Sequence, residues 1–180
     1  MSLSLAGDGE IVGFDAVASG FGGLVEVKSA IFTGTQSNST ATGANFAVTD
    51  LTITHEVADA ANRLIISAFL GAAGSSTGLG RLGIAVHDGS SLIAIGDAGG
   101  SRTRVTAGGI VSGSSTTSVV TMPSVTFVHT PGAGSKTYTV RAINIQIGTN
   151  VLYINRSQDD TDTTYRSRAV SSLVIQEVSV

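Results

Sequence analysis

The chain has 180 residues, 42% of them hydrophobic and only 13% charged, with a formal net charge of −3. That length allows one domain, or one domain with an arm, and the weak negative charge leaves no basic footprint for nucleic acid. The absence of cysteine excludes disulfides and thiolate metal sites, and no apolar run reaches the roughly 18 residues a membrane span needs.

Residues 1–23 stand apart from the rest. Six glycines punctuate short apolar pieces that include Leu3, Leu5, Ile11, Val12, Phe14 and Phe21. This spacing predicts an extended N-terminal arm with one small hairpin around Gly7-Asp8-Gly9. The opening has no basic n-region and no long apolar stretch, so no signal peptide is expected and the protein is read as cytoplasmically made and soluble.

From residue 24 onward the pattern is strands and turns. Residues 25–32 open the first strand, 34–43 read as a polar loop, and 44–56 carry Phe46, Val48, Leu51 and Ile53. Residues 58–62 read as a turn, 63–70 as a central apolar strand, and 71–80 as a small-residue loop. Residues 82–87 and 92–95 form a hairpin across Asp88-Gly89. A loop over 96–104 leads to a strand over 105–111, weakened by Gly108 and Gly109. The β-branched run over 116–130 is split by Pro123, which cannot donate to a ladder. Residues 136–147 alternate well, and strands over 151–154 and 172–178 follow. About ten strands without helical periodicity predict an all-β, antiparallel β-sandwich, jelly-roll-like, spanning residues 24–180 behind the arm.

The densest charge lies between the last two strands. Arg156, Asp159, Asp160, Asp162, Arg166 and Arg168 fall within thirteen residues of a chain otherwise poor in charge. Asp160 and Asp162 begin like a calcium loop, but an EF-hand puts Tyr165 and Ser171 where Gly and Glu are required. A looser calcium site using Asp159, Asp160 and Asp162 is the alternative; Asp–Arg pairing is the favoured reading, with Arg102 and Arg104 of the earlier loop expected to join it, order the two loops and set subunit register. Gly74 to Gly78 matches a nucleophile elbow around Ser76, but a Gly/Ser loop stands where a helix is needed. His55, His87 and His129 have no ligand spacing and are expected at the surface or an interface. Asn155-Arg156-Ser157 matches a glycosylation sequon, without meaning in an unsecreted chain. No catalytic residue, metal or cofactor is expected, and the chain reads as non-enzymatic.

Three stretches together carry a family resemblance: residues 2–13, residues 95–104 (Ile95 through Arg104), and residues 153–162 with the closing strand 171–178. In these the chain resembles structural proteins of tailed-phage virions, of the kind found in phages of marine bacteria. The resemblance implies a β-sandwich that trimerises, located in the virion. It implies a homotrimer fixed by its arm to the major capsid protein or another virion protein, as a capsid decoration (cement) or short head-fibre protein. A tail-fibre or receptor-binding tip is the alternative. Long members of the family place a stalk before the sandwich, whereas here Gly23 leads almost directly into the first strand, which favours decoration.

Overall fold

A computed structural model describes residues 4–5, 11–12, 23–76, 81–109, 120–164 and 166–180. Among them there is no helix; the chain is a stack of antiparallel sheets. One sheet contains β3 (Leu24–Phe32), β6 (Arg63–Phe69), β11 (Ser124–His129) and β14 (Ser171–Val178), in the order β11-β6-β14-β3. The other contains β5 (Asn45–Val57), β8 (Leu82–His87), β10 (Ala107–Gly109) and β12 (Gly134–Asn144), in the order β10-β8-β12-β5, with β9 (Leu92–Ile93) also paired to β8.

Numbering those eight long-range partners one to eight along the chain gives 1-8-3-6 in the first sheet and 2-7-4-5 in the second. First pairs with last, second with seventh, third with sixth, fourth with fifth. The chain is a long hairpin rolled up on itself, which is the jelly-roll order expected from sequence. A three-stranded ribbon, β4 (Gln36–Thr40), β13 (Asn150–Ile154) and β7 (Ala73–Ser75), is inserted into this plan.

Alternation decides which residues form the core. Leu64, Ile66 and Ala68 of β6, Leu173 and Ile175 of β14 and Phe32 of β3 face Tyr138, Val140 and Ala142 of β12 and Ile84 and Val86 of β8. Burying each large apolar side chain contributes on the order of 1.5–3 kcal/mol. In β5 the buried set runs Phe46, Val48 and then Leu51, Ile53, His55, Val57. The change from even to odd requires a bulge, and the β12–β5 register shifts between Thr139 and Arg141, with Asp50 at φ 60.

Several expected boundaries change. Residues 36–40 and 73–75, read as loop, are the strands β4 and β7. Their sequences, QSNST and AGS, lack apolar alternation; both pair with β13, and Ala73 of β7 also bridges to Thr121. The strand after Pro123 begins at Ser124, and the Pro123 carbonyl accepts the Leu70 amide at 3.0 Å. In the arm, β1 (Ser4–Leu5) and β2 (Ile11–Val12) pair antiparallel, as the expected hairpin requires. Leu3, Phe14 and Phe21, and the side chains of Leu5, Ile11 and Val12, lie outside the described residues.

Gly71 sits where a Cβ would collide with the backbone carbonyl of Val170 and the Ala169 side chain. Gly71→Ala is expected to destabilise the fold by about 1–3 kcal/mol, read as a lower urea midpoint. Gly96→Ala, where the nearest atom lies 3.8 Å from the added carbon, should change the midpoint little.

Candidate functional site

The charged loop runs from the end of β13 to the start of β14 and hangs from one buried side chain. Asn155, fully buried and at φ 60, donates its amide to the carbonyls of Phe32 (2.7 Å) and Gly34 (2.8 Å). Its Oδ1 accepts the Ser171 hydroxyl at 2.6 Å, and the Ser171 oxygen accepts the Gly71 amide at 3.1 Å. The sequon asparagine is therefore a structural clamp with no accessible amide.

Beyond the clamp, the expected pairing forms within the chain. Arg166 donates to Asp159 at 2.7 Å, and Asp160 takes Arg168 at 2.6 Å and Arg156 at 3.3 Å. The Arg156 guanidinium also lies 4.9 Å from the centroid of the Tyr153 ring, a cation–π contact. Hydrogen bonds from Thr161, aided by Arg166 and outweighing partial burial, hold the Asp159 carboxyl below its usual range. Asp160, Thr161, Asp162, Thr163, Arg166 and Arg168 line an open depression of about 260 Å³. With Asp159 and Asp160 turned to arginines, the loop offers guanidinium pairs rather than the six to eight oxygens of a calcium site.

Asp162 makes no ion pair among the described residues, and Arg102 and Arg104 do not join the cluster. Arg104 donates to the Gly96 carbonyl at 2.6 Å, and Arg102 folds over Gly99 within its own loop. Within one chain, then, the two loops are not tied together. The reason is spatial: the clamp reaches Gly34, before β4, while Thr103 adjoins Gly43, after it. Five strand residues separate the two ends by about 16 Å.

Ser76 has a structural role. Its hydroxyl accepts the Val151 amide at 3.0 Å and its own amide donates to the Val151 carbonyl, closing the ribbon.

His55 was expected at a surface, and the structure buries it completely. It continues the inward alternation of Leu51 and Ile53, and its Nε2 lies 2.7 Å from Oε2 of Glu177, itself buried on β14. Oε1 of Glu177 accepts the Ala58 amide at 2.9 Å and the Asn62 side-chain amide at 2.6 Å. On the other side of the ring, Nδ1 lies 3.3 Å from Oε2 of Glu26, and Lys28 lies 3.5 Å from Oε1 of Glu26. Burial opposes the Glu177 charge, but the bonds from Asn62, His55 and Ala58 outweigh it and lower its pKa. His87 and His129 are half-buried; His87 Nδ1 accepts the Gly89 amide, and His129 meets Tyr138 edge-on at 5.9 Å.

The two sheets present different outer faces. On the second sheet, Thr52 meets Thr139 and Thr54 meets Thr137, each hydroxyl pair at 3.0 Å. On the first sheet, the outward rows place Ile31, Ser172, Phe69 and Ser124 abreast, then Ser29, Val174, Ser67 and Thr126, then Val27, Gln176, Ile65 and Val128. Val27 is 48% exposed, Ile31 59% and Val128 61%. These rows carry no charge; Arg63 lies past one end. Four strands at 4.8 Å by five residues at 3.3 Å make a face of roughly 320 Å², its outward side chains half apolar and half serine, threonine or glutamine.

Removing the Asn62 amide leaves a buried carboxylate short of a donor. Asn62→Ala is expected to cost about 1.5–3 kcal/mol, measured by chemical unfolding. Because the folded pKa of Glu177 is depressed, its contribution is complete above the usual value of 4.5 and is lost as pH falls through the folded value. Glu177→Gln should be less stable at neutral pH yet lose less on acidification below pH 4.5.

No family model matches the chain, and no curated protein matches it.

Proposed function

We propose that this protein is a non-enzymatic structural component of a tailed-phage virion, a trimeric capsid decoration protein. The uncharged outer face of the β3–β14–β6–β11 sheet, where Val27, Ile31 and Val128 stand exposed among serine, threonine and glutamine, carries this reading. A lone subunit would leave that face in water while its opposite face is dressed in threonine hydroxyls. Exposed valine and isoleucine grouped on one uncharged face suit a surface that meets protein.

In this proposal the sheet face packs against neighbouring subunits, and residues 1–23 fix the trimer to the major capsid protein. The sequence resemblance supplies the virion setting. Asp159 and Asp160 are engaged by arginines, and Glu177 is sealed by three donors.

Two experiments test the reading. Counting copies in purified particles by quantitative mass spectrometry should give hundreds per particle; a handful would place the protein at the tail and end the decoration reading. A Val27→Glu, Ile31→Glu double variant should run as a folded monomer in light scattering where the parent runs as a trimer. A variant that stays trimeric would show that subunits meet elsewhere.

A further inference from the structure

The His55 cluster is not absorbed by an assembly role. Oε1 of Glu177 accepts the Asn62 and Ala58 amides, and its Oε2 lies 2.7 Å from Nε2 of His55, the geometry of an Nε2–H donating to the carboxylate. In a neutral imidazole this leaves the Nδ1 lone pair as an acceptor. Nδ1 is buried, has no hydrogen-bond partner among the described residues, and faces Oε2 of Glu26. Two acceptors directed at each other need a positive charge between them.

The spacing of the two atoms fits a metal ion between them. The observed separation is 3.3 Å. Two ligand atoms each about 2.0–2.1 Å from a tetrahedral zinc ion lie about 3.3–3.4 Å apart. The surroundings also have the form of a metal site. A carboxylate on the far ring nitrogen, itself hydrogen-bonded, is the support that ligating histidines have. Lys28 sits beside the other oxygen of Glu26 and leaves Oε2 free to face the ring. Glu26 is 43% exposed, which gives an ion a path in and leaves two positions for water.

We propose that Glu26 and His55 bind a divalent transition-metal ion, zinc by preference, through Oε2 and Nδ1, with Glu177 and Asn62 positioning the imidazole. The imidazole–carboxylate pair suits zinc and cobalt rather than calcium or magnesium. The site bridges the two sheets, since Glu26 lies on β3 and His55 on β5. Bound metal would therefore tie the edge of one sheet to the other.

Tag-free, chelator-treated protein titrated with cobalt(II) chloride should develop the visible absorption bands of tetrahedral cobalt, saturating at one ion per chain. Zinc chloride should bleach them. At about a hundred times its dissociation constant, zinc should raise the melting midpoint by about 5 °C. Glu26→Gln, a change at a partly exposed edge position, should abolish both the bands and the shift while the far-ultraviolet spectrum stays unchanged. His87→Ala should retain both. The absence of cobalt bands and of a zinc shift overturns the proposal. So does binding that survives in Glu26→Gln or is lost in His87→Ala. Oligomeric state and particle copy number play no part in this readout, so failure here leaves the virion reading standing, and the reverse.

Discussion

The last strand, β14, holds the molecule together. It lies between β3 and β6, so the end of the chain is clasped by its beginning, and the rolled hairpin closes only when that pairing forms. Its inward side chains are Ser171, Leu173, Ile175 and Glu177. The middle two fill the core, and the outer two each anchor a polar cluster. Ser171 holds the Asn155 clamp from which the charged loop hangs, and Glu177 holds His55 and Asn62. A span of six residues, about 20 Å, thus links both polar centres through one rigid element.

That arrangement explains how a chain so poor in charge keeps buried polar groups. A carboxylate in an apolar core is costly unless its oxygens are satisfied. Glu177 meets the requirement with three donors drawn from His55, Ala58 and Asn62. Asn155 meets it with two carbonyls and a hydroxyl. By contrast, the loop's Asp–Arg pairs lie partly in solvent, where such pairs contribute at most about 1 kcal/mol each. The loop owes its course to the clamp at its base, and the ion pairs shape its outer part.

The contrast between the outer faces bears on function more than any single residue does. A jelly roll needs only its inner faces to fold, so the outer faces are free to differ. Here one carries paired threonine hydroxyls, and the other is an uncharged face on which valine, isoleucine and phenylalanine are interspersed with serine, threonine and glutamine. An apolar outer face adds nothing to the stability of one subunit alone. It gains its free energy only when another protein surface removes it from water.

Much of the fold was legible because strand alternation is a local property. Leu64, Ile66 and Ala68 mark their own inward face, and the step from Phe46 and Val48 to Leu51 and Ile53 marks a bulge. The charge cluster at 156–168 was equally visible, and its members pair across a few residues. β4 and β7 were not legible, because QSNST and AGS carry no apolar alternation to mark a strand. Nor could spacing show that Arg102 and Arg104 lie at the other end of β4 from the aspartates. The alternation that buries Leu51 and Ile53 also points His55 inward, a signal present in the sequence and outweighed there by the habit of reading histidine as surface. Its partner could not be read in the same way. Glu177 lies 122 residues away, and only the packing of β14 in one sheet against β5 in the other brings the two side chains together.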